Sequence, residues 1–433
     1  MVASPQRQRG SRVRRRRRLR AVALSVFLFA VVGVAGLWIA VNRVEWLGPY
    51  VADGLRSVVG VDAVASLEDF SYRIQDRVNR VWRKGEKPRA YWTVPAATAG
   101  PAPKPVAPAV AVSAVVASAV AAEPELPPFA LPKVGPVHRE WSAPGDGEWL
   151  PMTSADRPDD PVMMMKTLMH PDKNRSWAEV FVVAIDLRRV RVHMMPGTKE
   201  PAATEDAAVG VPRPGVVPLE HRDRVLAAFN GGFKTEHGQY GMFVDGMTFV
   251  KPKPMACAIA AYDDDTMRVA SWEKLAGNVS HMVFWRETPV CMYEDDQLHW
   301  RLADPNLAKK WGATLDGETV IRRSAIGIDR TGNVLFVSIS NNTTARVIAD
   351  GMHHAGAVTV AQLDVNFSYP KFVTYEKHKA GDGETKRLAI PLADGFEFSE
   401  DEYIREPNRR DFFYLMPKDA DARTALKAPG NSG

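Results

Sequence analysis

The chain has 433 residues, 45% hydrophobic and 25% charged, a balance that suits globular structure and excludes a wholly disordered or fibrous chain. Its formal charge of +5 misleads, because residues 1–20 hold nine arginines and no acid, and without them the balance is −4. The basic balance thus describes one tail and gives no sign of a nucleic-acid-binding body, and two cysteines, Cys257 and Cys291, exclude a disulfide framework or a four-ligand zinc site.

In chain order, residues 1–20 form an Arg-rich tail, followed by an uncharged apolar run over 21–41. At 1.5 Å per residue such a run spans the ~30 Å hydrocarbon core of a bilayer. The arginines on its N-terminal side predict a cytoplasmic N-terminus and an extracytoplasmic remainder, a single-pass inner-membrane protein whose C-terminal domain is periplasmic or extracellular. A cleaved signal peptide has a shorter apolar region, and no convincing small-residue cleavage site precedes Trp38. The arginine run also suits anionic lipid or nucleic acid, but a topology signal accounts for it, and no nucleic-acid partner is expected.

Residues 42–92 predict a juxtamembrane helical segment, with Ser66 as its cap and Leu67, Phe70, Ile74, Val78 and Val81 at helical spacing. Residues 93–137 are rich in Pro, Ala and Val, a composition that predicts a semi-extended stalk. The head is expected over 138–417, with a flexible tail over 418–433.

Within the head, Glu179 to Met195 reads as a strand pair or one long strand, and Val225 to Phe229 as a buried strand entering Asn-Gly-Gly. Asp245-Gly246 predicts a hairpin tip, as does the stretch from Asp329 to Asn333. Ala345 to Ala355 is helical in character and leads into a strand from Val358 to Leu363; Phe412 to Met416 is the last strand. Strands dominate, which predicts an α+β domain on a mixed, largely antiparallel sheet with flanking helices.

Three segments carry candidate chemistry. In Ala227 to Phe233, Gly231 and Gly232 allow backbone N–H groups to approach a ligand, and Asn230 adds a side chain that donates and accepts; a tight hairpin turn is the alternative. In Arg322 to Asp329, an arginine opening a buried strand needs a partner, either a bidentate anion or an ordinary ion pair. In Gln362 to Ser368, Asp364 ends an apolar strand and serves as acid, base or turn cap.

Taken together and in this order, Asn230 to Phe233, Gly241, Asp245-Gly246, Arg323 to Gly327, and Leu363, Asp364 and Ser368 resemble the signature of the phosphodiester glycosidase family. The resemblance covers roughly residues 175–416. It implies hydrolysis of a sugar-1-phosphodiester at the C1–O bond, in an envelope glycan or its precursor, with no cofactor and no metal. It implies Arg323 holding the phosphate and Asp364 as the catalytic carboxylate, with Asn230, Gly231, Gly232, Lys234, His237, Asn366 and Ser368 as substrate contacts. Val365, Asn366 and Phe367 stand where the family has three glycines, which leaves a catalytically inactive glycan-binding relative as the alternative. The expected partners are thus a carbohydrate or glycan-phosphate and the membrane, the latter through residues 21–41.

Other constellations are weaker. Asp263-Asp264-Asp265 lacks the glycine and glutamate of a calcium loop and reads as a hairpin tip. His353 and His354 are adjacent, so on a helix they diverge by about 100°. Cys257 and Cys291 are either one bridge in an oxidising compartment or two buried thiols.

Overall fold

The computed structural model describes residues 74–94, 126–304, 320–366, 369–379 and 385–418, with Gly33, Gly36, Tyr72 and Trp311 as single positions. Two compact units divide the chain, Met1–Glu68 and Asp69–Gly433, and every element below belongs to the second. Among the described residues no helix is long and apolar enough to cross a membrane. The expected anchor over 21–41 lies outside them except for Gly33 and Gly36.

Helix α1 covers 74–82. The strands that follow are β1 (Leu150–Met152), β2 (Met164–Met169), β3 (Val180–Asp186), β4 (Val190–Met195), β5 (Ala227–Asn230), β6 (Met242–Val244), β7 (Met247–Val250), β8 (Cys257–Tyr262) and β9 (Met267–Ser271). A single helical turn, α2 (Trp272–Leu275), leads to β10 (Met282–Thr288), β11 (Tyr293–Glu294) and β12 (Gln297–Leu298). After a second turn, α3 (Trp300–Ala303), come β13 (Ile321–Ile328), β14 (Val334–Thr343) and the longer helix α4 (Ala345–His354). The chain closes with β15 (Thr359–Val365), β16 (Phe372–Lys379), β17 (Thr385–Pro391) and β18 (Phe412–Pro417).

The strands form three sheets, in the orders β1-β2-β3-β14-β13-β15-β11-β12, β7-β6-β10-β8-β9 and β17-β16-β5-β18-β4. Every ladder between these strands is antiparallel, so the largely antiparallel sheet structure expected is found, and the described residues give a β-rich fold with few helices. The two-residue period of a strand explains how the first sheet serves two cores. Phe181, Val183 and Ile185 of β3 join Phe229, Phe284 and Phe413, one from each of β5, β10 and β18, in the core shared by all three sheets. Val180, Val182 and Ala184 point the other way, against Ile348, Ala349 and Met352 of α4. Thr344 starts that helix, its Oγ1 accepting the Val347 N–H at 3.2 Å, a cap worth about 1 kcal/mol.

The hairpins at Asp245-Gly246 and at Asp329 to Asn333 form as expected, the first with both residues at positive φ (52° and 74°), as a type I′ turn requires. Asp263 to Asp265 is the tip joining β8 and β9. Glu179 to Met195 gives two strands, but they do not pair: β3 joins β2 and β14, whereas β4 joins β18. Arg188 and Arg189 both bond the buried Asp186, fixing the turn that carries the chain from one sheet to the next.

The expected boundaries also shift. Residues 126–137 are not free stalk, because Phe129 is buried and Leu131, Val134 and Val137 pack on the core beside α4. Upstream, Tyr91 and Trp92 set their rings 5.0 and 5.7 Å from that of Phe181. The head therefore begins before residue 138 and takes in the end of the juxtamembrane segment.

Of the two cysteine readings, the bridge is the one found. Cys257, at the start of β8, is bonded to Cys291, 34 positions later and just past β10. Closing a loop of that length constrains the unfolded chain by about 2–4 kcal/mol. Reduction should therefore lower the denaturant midpoint by an amount matching that loss; an unchanged midpoint would contradict a structural role for the bridge.

Candidate functional site

The ends of β5 and β15 and the start of β18 converge where the three sheets meet. Asn230 closes β5, and its Nδ2 donates to Ser324 Oγ at 2.8 Å while its Oδ1 accepts the Lys371 N–H at 3.1 Å. Ser324 Oγ donates to the Asp364 carbonyl at 2.9 Å, and the Asp364 N–H reaches the Gly231 carbonyl at 3.1 Å. Asn230 and Ser324 thereby pin the third sheet to the first, and leave Asp364 beside the two glycines.

Those glycines serve a different purpose from the one expected. Gly231 N–H donates to the Asp411 carbonyl at 2.9 Å, and Gly232 N–H to Asp411 Oδ2 at 3.0 Å. A Cβ on Gly231 would stand 2.2 Å from that carboxylate oxygen, and one on Gly232 would stand 2.7 Å from Arg286 Cζ. Glycine is needed here so that a protein carboxylate and guanidinium can approach, and the amides expected for a ligand are already engaged. Asn230 is likewise taken up inside the protein.

Asp411 accepts from Arg286 Nε at 2.9 Å, and neither side chain has any exposed surface. Beside this pair lies a second. Asp364 Oδ2 accepts from Arg410 Nη2, and Oδ1 accepts the Val365 N–H at 2.9 Å. Burial pushes the Asp364 carboxyl up to about 6; Arg410 pulls it down and the neighbouring Asp411 charge adds to the rise. Burial opposes charge on Arg410, but Asp364, Tyr369 and Asp411 more than offset it, so the guanidinium stays charged. Its Cζ lies 4.1 Å from the Tyr369 ring centre, and its Nε and Nη1 are buried without a hydrogen-bond partner. Buried N–H groups left unmatched beside a carboxylate are what an anionic or oxygen-rich ligand would satisfy.

Arg323 is not part of this cluster. It is fully buried, and its guanidinium donates to the carbonyls of Trp311 and Thr343 and, at 3.4 Å, to Gln362 Oε1. Its neighbour Arg322 is spent on Glu397 and on the Gly395 carbonyl. The guanidinium that meets Asp364 is therefore that of Arg410 rather than that of Arg323. Lys234 precedes the short turn Thr235–His237 and His237 ends it, each 3.5 Å from a Glu236 carboxylate oxygen.

The departure from three glycines also has a physical answer. Val365 closes β15 and packs with Phe233 and Ile321 in a small apolar cluster. Asn366 takes φ 85°, a left-handed conformation that Asn tolerates better than other side-chain-bearing residues. Phe367 and Ser368 lie outside the described residues.

Three residues of the cluster escaped the sequence reading: Arg286, Arg410 and Asp411. The signal was present, since Arg410-Asp411 opens the apolar strand β18 as Arg322-Arg323 opens β13, and Arg286-Glu287 interrupts the apolar β10. Glu287, pushed up to about 7 by burial, accepts the N–H groups of Gly241 and Lys253 at 2.8 and 2.9 Å. That contact explains Gly241, whose Cβ would stand 2.8 Å from Glu287 Oε2. A cavity of about 250 Å³ lies elsewhere, lined among others by Arg157, Lys166 and Glu376, and none of the cluster residues lines it. Among the described residues no group of three or more His, Cys, Asp or Glu is placed to hold a metal ion.

No family model matches the chain, and no curated protein matches it. Among solved structures it is similar to a hypothetical protein from Synechocystis, at 11% identity over 60% of this chain and 65% of that one, with a TM-score of 0.30. A candidate exported protein from Burkholderia pseudomallei K96243 shares 10% identity over 55% of this chain and 74% of that one, at a TM-score of 0.23. The chain thus spans less than two thirds of the Synechocystis protein, and likenesses this slight carry no argument about function.

Two substitutions test the cluster's construction. Asp411→Ala strands a buried guanidinium and should cost about 3–5 kcal/mol in a denaturant titration. Asn366→Val should cost about 1–2 kcal/mol because of its backbone conformation, whereas Asn366→Gly should be tolerated. Equal stabilities for the two Asn366 variants would contradict the strained position.

Proposed function

We propose that this chain is a membrane-anchored hydrolase of sugar-1-phosphodiester linkages, acting outside the cytoplasm on an envelope glycan or its precursor. The observation that carries the reading is the buried Asp364–Arg410 pair, in which Arg410 keeps two nitrogens without partners. Arg410 grips the phosphate, where negative charge builds as the bond breaks. Water adds to the anomeric carbon, the C1–O bond opens, and its electron pair leaves with the phosphate monoester. Asp364 takes the water's proton and faces the positive charge developing on the sugar ring. A phosphate leaves without much acid assistance, so the second carboxylate, Asp411, can remain committed to Arg286 and hold the glycine loop in place.

The location rests on residues 1–41, with their arginines ahead of a charge-free run, and on the Cys257–Cys291 bridge, which suits an oxidising compartment. One observation favours a second reading, a glycan-phosphate-binding protein without turnover. The N–H groups of Gly231 and Gly232 and the side chain of Asn230 are spent within the protein, leaving Arg410 to do most of the gripping.

Incubating the protein with a panel of sugar-1-phosphodiesters, including UDP-N-acetylglucosamine, and measuring free sugar separates the two. Turnover should fall ~10²–10⁴-fold in Asp364→Asn, which keeps the side-chain shape, and ~10²–10³-fold in Arg410→Ala. Because the ionised carboxylate does the work, kcat/KM should rise with pH through about 6 and level off above it. Binding of the same compounds with no release by the wild-type protein would favour the second reading.

A further inference from the structure

We infer that helix α1 forms a second membrane contact, laying an outward apolar stripe on an anionic bilayer surface and so fixing the orientation of the head. The stripe is Ile74, Val78, Val81 and Trp82, which are 49%, 47%, 69% and 87% exposed. At 100° per residue, these four fall within an arc of about 100°. A helix packed on its own domain ordinarily turns such a face inward. Here the polar face is turned inward instead. The Asp76 carboxylate accepts from Arg175 Nε and Nη2 at 2.7 and 2.8 Å, and the Arg83 guanidinium lies 5.5 Å from the Trp177 ring centre. The helix is docked through its charges, and its apolar side is left to something else.

The charges around the stripe identify what that is. Arg77, Lys84, Lys87 and Arg89 are exposed beside it or just beyond it. Within 74–90 the acids are Asp76 and Glu86, the first turned toward Arg175 and the second 3.3 Å from Arg89. An apolar stripe ending in Trp, with a basic border, is the composition of an interfacial helix that lies on anionic lipid. A second copy of the same face fits less well, because two-fold pairing would set these basic borders against each other with no free acid between them.

Chain connectivity favours the bilayer too. The charge-free run ends at Val41, 33 positions before Ile74, so α1 follows the proposed anchor closely in the chain. That anchor would hold the stripe at high effective concentration near the surface, where four apolar side chains suffice. The inference rests on the proposed anchor at 21–41 but not on the proposed hydrolysis.

The test uses the full-length protein reconstituted in vesicles containing phosphatidylglycerol. Val81→Cys carries an environment-sensitive dye, since both native cysteines are bonded to each other. The expected result is a blue-shifted emission that lipids spin-labelled near the headgroup quench and aqueous iodide does not. A dye on Ser280→Cys, exposed and outside the stripe, should behave oppositely. Ile74→Glu with Val78→Glu should return the dye at 81 to its water-exposed signal, as should replacing phosphatidylglycerol with phosphatidylcholine at high salt. A dye at 81 that iodide quenches as freely as at 280 would overturn the inference. So would a dye shielded from iodide but untouched by the labelled lipids. Loss of that shielding on dilution would identify a second copy, and its persistence another stretch of this chain.

Discussion

Arg286 lies in β10 with no exposed surface, and a guanidinium in that position must find acceptors for its donors inside the protein. Asp411 supplies both carboxylate oxygens, at 2.9 and 3.3 Å, and the carbonyls of Phe233, Tyr240 and Glu287 supply the rest at 2.6, 3.1 and 2.9 Å. These partners come from the second sheet, from the loop after β5 and from the entry to β18. One cation therefore ties the second sheet to the third, and the course of the Asn-Gly-Gly loop follows from it. Gly231 and Gly232 are glycines because Asp411 and Arg286 leave no room for a Cβ.

With that loop fixed, Asp364 has little freedom. Its N–H is held by Gly231 and its carbonyl by Ser324, and its carboxylate meets Arg410, the residue just before Asp411. Two oppositely charged pairs thus sit side by side at the junction of the sheets. The first has its needs met within the protein and is structural. The second is incomplete, with Asp364 pushed up to about 6 by burial and two nitrogens of Arg410 unmatched. That difference between neighbouring pairs is the ground for proposing the second as the reactive one.

Much of the fold was legible in local chemistry. Asp245-Gly246 and Thr331-Gly332-Asn333 announce hairpins because few other residues adopt those turns, and Ala345 to Ala355 announces a helix through its spacing. Which strands become neighbours was not legible. Nothing in Glu179 to Met195 says that its two halves join different sheets, since that depends on β14 and β18, far away in sequence. The site was half legible for the same reason. Asp364 and Asn230 stood out because each ends an apolar strand beside glycines. Arg323 stood out equally, yet its guanidinium is taken up by Trp311, Thr343 and Gln362. Choosing between Arg323 and Arg410 required knowing which strand mouth faces Asp364, and that is a tertiary fact.

The claim that Arg410 and Asp364 form the reactive pair is tested most directly by a crystal structure of the protein with a sugar-1-phosphate bound. Phosphate oxygens should lie within hydrogen-bond distance of Arg410 Nε and Nη1, with the anomeric carbon facing Asp364. Phosphate seated instead on Arg323, with Trp311 displaced from it, would contradict the assignment and return the site to the other arginine.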